Sequence, residues 1–210
     1  MSMIGKFRAV RPRVLDALAS DPTIARLVSM YSPTQPAFVP DSTALANLPP
    51  EFRAAVEASA AQQSGLSGSA GAHRLTSVGL SPDDLADPFS LDKAWHGVHF
   101  LLARTVYEPT VPPGDAVLGG VPFGEDLGYG PLRVKTVEQV ATTSAALSAL
   151  DRELLRNSVA PSELAVAEIY PGGWDSGETT VDWILDALAT LRDFYARTTD
   201  SGDAMLLFIS

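Results

Sequence analysis

The feature that most constrains the fold is a short apolar run near the end of the sequence, Ala204–Ile209, which reads Ala-Met-Leu-Leu-Phe-Ile. Its length is that of a strand, and its apolar residues are consecutive instead of alternating with polar ones. Such a strand is apolar on both faces, so other parts of the chain must cover both of them. We therefore predict a central strand, next to the N-terminal strand of the same sheet.

A strand is also predicted at residues 3–10, where apolar and polar residues alternate loosely before Pro12. Further short strands are expected at 116–118 and 132–135, separated by a glycine-rich loop at 119–131. Helices fill most of the chain between the terminal strands. This order predicts an α+β fold with a small mixed or antiparallel sheet, in which the N-terminal and C-terminal strands are central and several helices pack against them.

The clearest helical pattern lies between Phe89 and Val106, and we predict one long buried helix there. At about 100° per residue, a broad apolar face is formed by Leu91, Ala94, Trp95, Val98, Leu101, Leu102 and Thr105. Asp92, His96 and His99 follow the edge of that face. We expect this helix to be the centre of the core and one wall of any site.

Helix starts are marked by residues whose side chains accept hydrogen bonds from backbone N–H groups. Asp21 precedes a proline in this way, and Thr136 with Gln139 has the spacing of a capping box. Asp175 or Ser176 is expected to cap the last helix. The predicted core stripe of that helix consists of Val181, Ile184, Leu185, Leu188, Leu191 and Tyr195.

The composition changes across residues 32–74. Prolines interrupt the first part, a helix is expected at 51–63, and the Gly- and Ser-rich residues 64–72 are typical of a flexible linker. We predict a single domain over residues 1–210 with an insertion or flexible segment at about 32–74. Two roles stay open for that segment, a disordered surface loop or a lid.

The net charge of −10, without a local stripe of Lys and Arg, argues against nucleic-acid binding, because a phosphate backbone would be repelled. An acidic surface instead favours a basic partner. The sequence has no cysteine, which excludes disulfides and thiolate metal sites. We find neither a signal peptide nor an apolar run of about 20 residues, so no membrane association is expected and the cytoplasm is the expected location.

Four segments, in this order, resemble the YfbM-like family of bacterial domains of unknown function. They are Met-Ser-Met-Ile-Gly at 1–5, Leu-Asp-Lys-Ala-Trp-His-Gly-Val-His-Phe-Leu-Leu at 91–102, Gly-Tyr-Gly-Pro-Leu-Arg at 128–133 and Ile-Tyr-Pro-Gly-Gly-Trp at 169–174. The resemblance extends over most of the chain. It implies a compact α+β domain in the bacterial cytoplasm and brings no catalytic residues with it. The segment at about 32–74 looks like an addition relative to shorter members.

A ligand pocket is predicted where three parts of the chain are expected to converge. The candidate ligand-binding residues are Lys93, Trp95 and His99 from the helix, Tyr129 and Arg133 from the glycine-rich segment and the strand after it, and Tyr170 and Trp174 from a later turn. Aromatic walls with one or two cations suit a small anionic or planar ligand. The ordinary alternative is that Trp95 and Trp174 pack in the core while Arg133 binds a helix end or an acid.

His99 is the best candidate for a catalytic residue. Weak candidates for metal binding are His96, His99, Glu125 and Asp126, since imidazole and carboxylate groups suit zinc and similar ions. Asp92 does not complete a site with His99, because the two are separated by about 10 Å along the predicted helix. No cofactor or complete metal site is therefore predicted. The ordinary alternative is a hydrogen-bonded His99 at the core edge beside a solvated His96.

Two classes of function follow from these patterns. The favoured one is a binding or interaction module, whose partner is a basic protein, as for an inhibitor or immunity protein, or a small anionic ligand. The alternative is a small His-based or metal-assisted hydrolase, so whether the protein is an enzyme stays open. No nucleophile elbow, phosphate-binding loop or dinucleotide fingerprint decides between them, and the oligomeric state stays open as well.

Overall fold

The computed structural model describes residues 2–33, 41, 46, 49–177 and 179–210. Within them, five strands form one antiparallel sheet. The strands are β1 (Gly5–Val10), β2 (Phe89–Asp92), β3 (Val121–Asp126), β4 (Pro131–Lys135) and β5 (Ala204–Ile209). Their order across the sheet is β2-β1-β5-β4-β3, which confirms the predicted α+β class with the two terminal strands at the centre.

Nine α-helices lie in the described part of the chain. They are α1 (Pro12–Ser20), α2 (Ala25–Met30), α3 (Pro50–Ser64), α4 (Gly68–Ser77), α5 (Trp95–Ala103), α6 (Val137–Ser148), α7 (Arg152–Arg156), α8 (Pro161–Val166) and α9 (Val181–Asp200). Two short 3₁₀ helices occupy Pro22–Ile24, capped by Asp21 as predicted, and Pro82–Asp84. None of these helices combines the length and the apolar character that crossing a membrane requires.

The C-terminal strand is covered on both faces. It pairs with all six residues of β1 on one side and with β4 on the other. Met205 and Leu207 join one core with α5, α6 and α9, whereas Leu206 and Phe208 join a second core with α1, α2 and α4. The sheet is thus the middle of three layers, and this explains why apolar residues are needed at consecutive positions of β5.

The predicted helix at 89–106 is too long. Its first four residues form the edge strand β2, in which Phe89 pairs with Phe7 of β1. Asp92 has a φ of 49°, a left-handed conformation that ends the strand shortly before α5 begins. Hydrogen bonding to β1 outweighs the local helical pattern, so the predicted helix face shared by Asp92 and His96 does not exist.

Two predicted loops contain regular structure. The flexible linker expected at 64–72 is wrong, since α4 occupies its second half. A Cβ added to Gly71 would lie 2.7 Å from the Tyr31 ring, so this glycine permits close packing. The loop expected at 119–131 contains β3, and the strand expected at 116–118 is a turn. β3 is an edge strand whose side chains are mostly exposed, so it lacks an apolar pattern.

The segment at 32–74 is described only in part. The helix expected at 51–63 is confirmed, since α3 spans this range. Much of the proline-rich part, residues 34–40, 42–45 and 47–48, lies outside the described residues. Whether 32–74 is an insertion, a loop or a lid therefore stays a prediction.

The predicted capping box at the start of α6 is confirmed. The Thr136 hydroxyl accepts the Gln139 N–H at 3.3 Å, and the Gln139 side-chain carbonyl accepts the Thr136 N–H at 2.9 Å. The last helix begins differently from the prediction. Thr180 caps α9 by accepting the N–H of Trp183, which places the cap closer to the helix than the two predicted residues, Asp175 and Ser176.

Replacing Thr136 with alanine is expected to lower the free energy of unfolding by about 1 kcal/mol, because the Gln139 N–H loses the hydroxyl that accepts it, while the bond from the Thr136 N–H to the Gln139 side chain is kept. Thr142→Ala is the matched control. The Thr142 hydroxyl donates to a carbonyl within the same helix and is exposed, so its removal is expected to change little. Urea unfolding of both variants measures the difference, and equal losses would show that the cap is not the cause.

Candidate functional site

An open cleft of about 170 Å³ lies between the start of α5, the β3–β4 turn and the ends of β4 and β5. Its lining is aromatic and apolar apart from one arginine, and consists of Trp95, Tyr107, Val117, Leu118, Tyr129, Pro131, Arg133, Leu207, Phe208 and Ile209. A cavity of about 150 Å³ is enough to hold a benzene-sized ring. The cleft therefore has room for a ligand with one ring and a small substituent.

Arg133 is the charged side chain of this lining. It lies on β4 opposite Leu207, and it is half-buried. Burial lowers the pKa of Arg133 from its ordinary value. Its guanidinium forms no hydrogen bond or ion pair with any residue that the structure describes. The predicted alternative, in which Arg133 binds a helix end or an acid, therefore has no support among those residues, and the group is available to an anion.

Two exposed tyrosines lie at the opening of the cleft. Tyr107 is 59% exposed and Tyr129 is 40% exposed. Tyr129 lies between Gly128 and Gly130, both of which have a positive φ. The Asp126 carboxylate accepts the N–H groups of both glycines, at 2.6 and 3.0 Å, and these bonds lower the pKa of Asp126. Asp126 thus holds the turn that presents Tyr129, and this use differs from the metal binding considered above.

His96 is a structural residue whose two ring nitrogens are both used. Nδ1 accepts the N–H of Tyr170 at 3.0 Å, and Nε2 donates to the carbonyl oxygen of Val106 at 2.8 Å. The ring is buried and stacks between Trp95 and Tyr107, with centroid distances of 4.7 and 5.0 Å. The expectation of a solvated His96 is therefore wrong. Burial lowers the pKa of His96, and its ring packs against two aromatic residues of the cleft lining.

His99 is fully buried, and neither of its ring nitrogens has a hydrogen-bond partner among the described residues. The expectation of a hydrogen-bonded His99 is therefore also wrong. Burial, then the neighbouring His96 and Arg133, lower the pKa of His99 to about 4, against an opposing effect of Glu108. At neutral pH the ring is uncharged, and no described carboxylate orients it as in a catalytic His–acid pair.

The other predicted ligand-binding residues lie outside the lining of the cleft. Lys93 is exposed at the turn before α5. Trp174 is buried and donates its indole N–H to the carbonyl oxygen of Ile169 at 2.6 Å, which fits the core role. The Tyr170 hydroxyl bonds to the hydroxyl of Ser2 at 3.0 Å. The structure thus brings Trp95, Tyr129 and Arg133 of the predicted set into one cleft.

Tyr107 is a cleft residue that sequence reasoning missed. It lies in the proline-rich stretch after α5, where no periodic pattern exists to place a side chain. Its aromatic character was the only available signal. Among the residues that the structure describes, no group of three or more His, Asp or Glu side chains is arranged to hold a metal ion. Glu125 is exposed on β3.

A buried polar network holds the residues that come directly after Asp115 in the sequence. These residues form one wall of the cleft. The Lys135 ammonium, fully buried, donates to the Asp115 carboxylate at 2.7 Å and to the Thr143 hydroxyl at 2.6 Å. The Tyr195 hydroxyl donates to the carbonyl oxygen of the residue after Asp115 at 2.8 Å. Burial lowers the pKa of Lys135, whereas Asp115 opposes this shift. The two residues that follow the carbonyl group bound by Tyr195 line the cleft, so the network holds them in position.

The structure is that of an α+β domain in which an antiparallel sheet is the middle of three layers. The chain belongs to the family described as Domain of unknown function (DUF1877), whose model matches residues 1–208. The chain is similar to the crystal structure of a protein of unknown function, YfbM from Escherichia coli, at 20% identity and a TM-score of 0.60 over 99% of each chain. This likeness confirms the YfbM-like resemblance and shows the fold. None of the curated proteins that were compared matches the chain.

Proposed function

We propose that this protein is a binding module whose cleft holds a small planar anion, with Arg133 as the anion-binding residue. The observation that carries this proposal is the half-buried Arg133 guanidinium, which lacks a partner among the described residues and faces an aromatic cleft. A guanidinium binds a carboxylate through two parallel hydrogen bonds, and burial strengthens them. The proposal keeps the expected bacterial cytoplasmic location.

The aromatic lining supports a planar ligand. Trp95 forms part of the inner lining, while Tyr107 and Tyr129 are exposed enough to close over a ring. Aromatic side chains attract flat ligands through stacking and through burial of apolar area. The volume of about 170 Å³ limits the occupant to about one ring with a carboxylate. Aromatic carboxylates are the chemical class that meets these conditions.

The other functions have less support. A hydrolase centred on His99 needs an acid or a second group to orient the imidazole, and the described residues supply none. The nitrogens of His96 are both occupied by backbone groups. A basic protein partner is favoured only by the net charge of −10, which acts on many partners without selecting one.

Benzoate is a suitable probe of the cleft, since it has one ring and one carboxylate. We expect saturable binding to the full chain in calorimetry, and we expect Arg133→Gln to weaken it about tenfold or more, because a charge-assisted pair is lost. Arg104→Gln is the matched control. Arg104 is exposed and pairs with Glu163 at 2.5 Å, away from the cleft lining, so its loss should leave the affinity unchanged.

Two results would contradict the proposed function. One is the absence of saturable binding by benzoate and by its monohydroxylated forms. The other is equal weakening in the Arg133 and Arg104 variants, which would indicate a general effect of positive charge on a protein of net charge −10. Circular dichroism of each variant confirms that the fold is retained before its affinity is compared.

A further inference from the structure

His99 differs from His96 in how its nitrogens are used. Both histidines are buried in α5, and each nitrogen of His96 has a backbone partner. Neither nitrogen of His99 has a hydrogen bond with any residue in the described part of the chain. Leaving a buried polar group without a partner destabilises the folded state, because the group has lost its hydrogen bonds to water. Such a group in a folded protein calls for an explanation, and a bound molecule is one of the few physical ones.

The position of His99 connects it to the cleft. It follows Trp95 by one helical turn, so the two side chains are neighbours on one face of α5. The positive charge of Arg133 is one of the causes that lower the pKa of His99. Trp95 and Arg133 both line the cleft, whereas His99 is fully buried and does not. His99 therefore lies next to the cleft, behind the residues that line it.

The chemistry of the neutral ring limits what it can bind. A neutral imidazole has one N–H donor and one nitrogen acceptor. A carboxylate alone offers acceptors only, so it satisfies at most the donor. A hydroxyl group both donates and accepts, and it can therefore pair with whichever nitrogen of His99 faces it. A ligand that carries a carboxylate and a hydroxyl on one flat ring has the groups that pair with Arg133 and with His99.

We propose that His99 forms a hydrogen bond with a hydroxyl group of the ligand whose carboxylate binds Arg133, so that the cleft selects hydroxylated aromatic carboxylates. This inference rests on the proposed function and adds the class of ligand to it. Contact with the buried ring requires side-chain movement at the cleft wall. Ligand binding drives such a movement when the ligand interacts more favourably with the rearranged state.

The test compares the affinities of the full chain for benzoate and for the three monohydroxybenzoates by calorimetry. At least one isomer is expected to bind tenfold tighter than benzoate, since it gives a buried nitrogen its partner. His99→Leu removes both nitrogens at similar volume, and the preference is expected to fall below twofold while benzoate affinity is kept. His99→Gln, which retains a donor and an acceptor, is expected to keep part of the preference.

The outcomes separate this inference from the proposed function. If benzoate binds and all three isomers bind within twofold of it, the role of His99 is wrong and the cleft function stands. If none of the four binds, both are wrong. If His99→Leu does not fold, the contact is tested instead by following the imidazole ¹⁵N resonances of the unmodified protein as each ligand is added. A shift of the His99 resonances with the best isomer but not with benzoate supports the contact, and unchanged resonances overturn it.

Discussion

Lys135→Met is expected to lower the free energy of unfolding by about 3 kcal/mol. Lys135 is fully buried and bonds to the Asp115 carboxylate and the Thr143 hydroxyl, so its removal leaves both groups without that partner. Breaking a buried ion pair by deleting one member typically costs about 3–5 kcal/mol. The lower value is expected, because the Asp115 side chain is 19% exposed and keeps some contact with water.

Two further variants identify the cause of this loss. Arg152→Met removes an exposed pair with Asp186 and is expected to change stability by less than about 0.5 kcal/mol. The double variant Lys135→Met with Asp115→Leu removes both charges and is expected to recover a large part of the loss. Urea unfolding at neutral pH measures all three. A loss below about 1 kcal/mol in Lys135→Met would show that the network contributes little.

Acidification from pH 7 to pH 4.5 is expected to destabilise the protein through His99 by about 2 kcal/mol. The pKa of His99 is about 4 in the folded state, against an ordinary value of 6.5 in an unfolded chain. As the pH falls below 6.5, His99 binds a proton in the unfolded chain. In the folded state His99 does not bind this proton until about pH 4. The unfolded state then binds more protons, so stability falls with pH across this window. His96 adds to the loss, because burial lowers its pKa as well.

His99→Leu isolates this contribution. Carboxylates such as Asp84 titrate in the variant as they do in the wild type, so their effects cancel in the comparison. The fall in unfolding free energy between pH 7 and pH 4.5 is expected to be about 2 kcal/mol smaller in His99→Leu. An identical pH dependence in the two proteins would mean that His99 is protonated as easily in the folded state as in the unfolded one.

Much of the fold can be predicted because its signals are local. The apolar run of β5 specifies a strand buried on both faces, and the Thr136 capping box specifies the start of α6. The errors arise where contacts distant in sequence decide the structure. Residues 89–92 have a helical pattern but pair with β1, and β3 is exposed, so it has no apolar alternation to reveal it.

The cleft could be predicted in part, because the types of its residues are visible in the sequence. The residue types of Trp95, Tyr129 and Arg133 pointed to an aromatic site with a cation, and the structure places these three in the lining of one cleft. The roles of the two histidines were not predictable. His96 forms hydrogen bonds with backbone groups 10 and 74 residues away in sequence, and no pattern of side chains predicts such partners. The same limit applies to the unpartnered nitrogens of His99, which only the packed structure reveals.

The most direct test of the proposed ligand binding in the cleft uses the three tryptophans of the chain as internal reporters. Trp95 lines the cleft, whereas Trp174 and Trp183 lie outside its lining, in a tilted pair with ring centroids 6.3 Å apart. A ¹H–¹⁵N NMR titration of the full chain with benzoate follows the three indole N–H resonances. We predict a saturable shift of the Trp95 resonance with the other two unchanged. No shift of Trp95, or equal shifts of all three, would contradict a ligand site in this cleft.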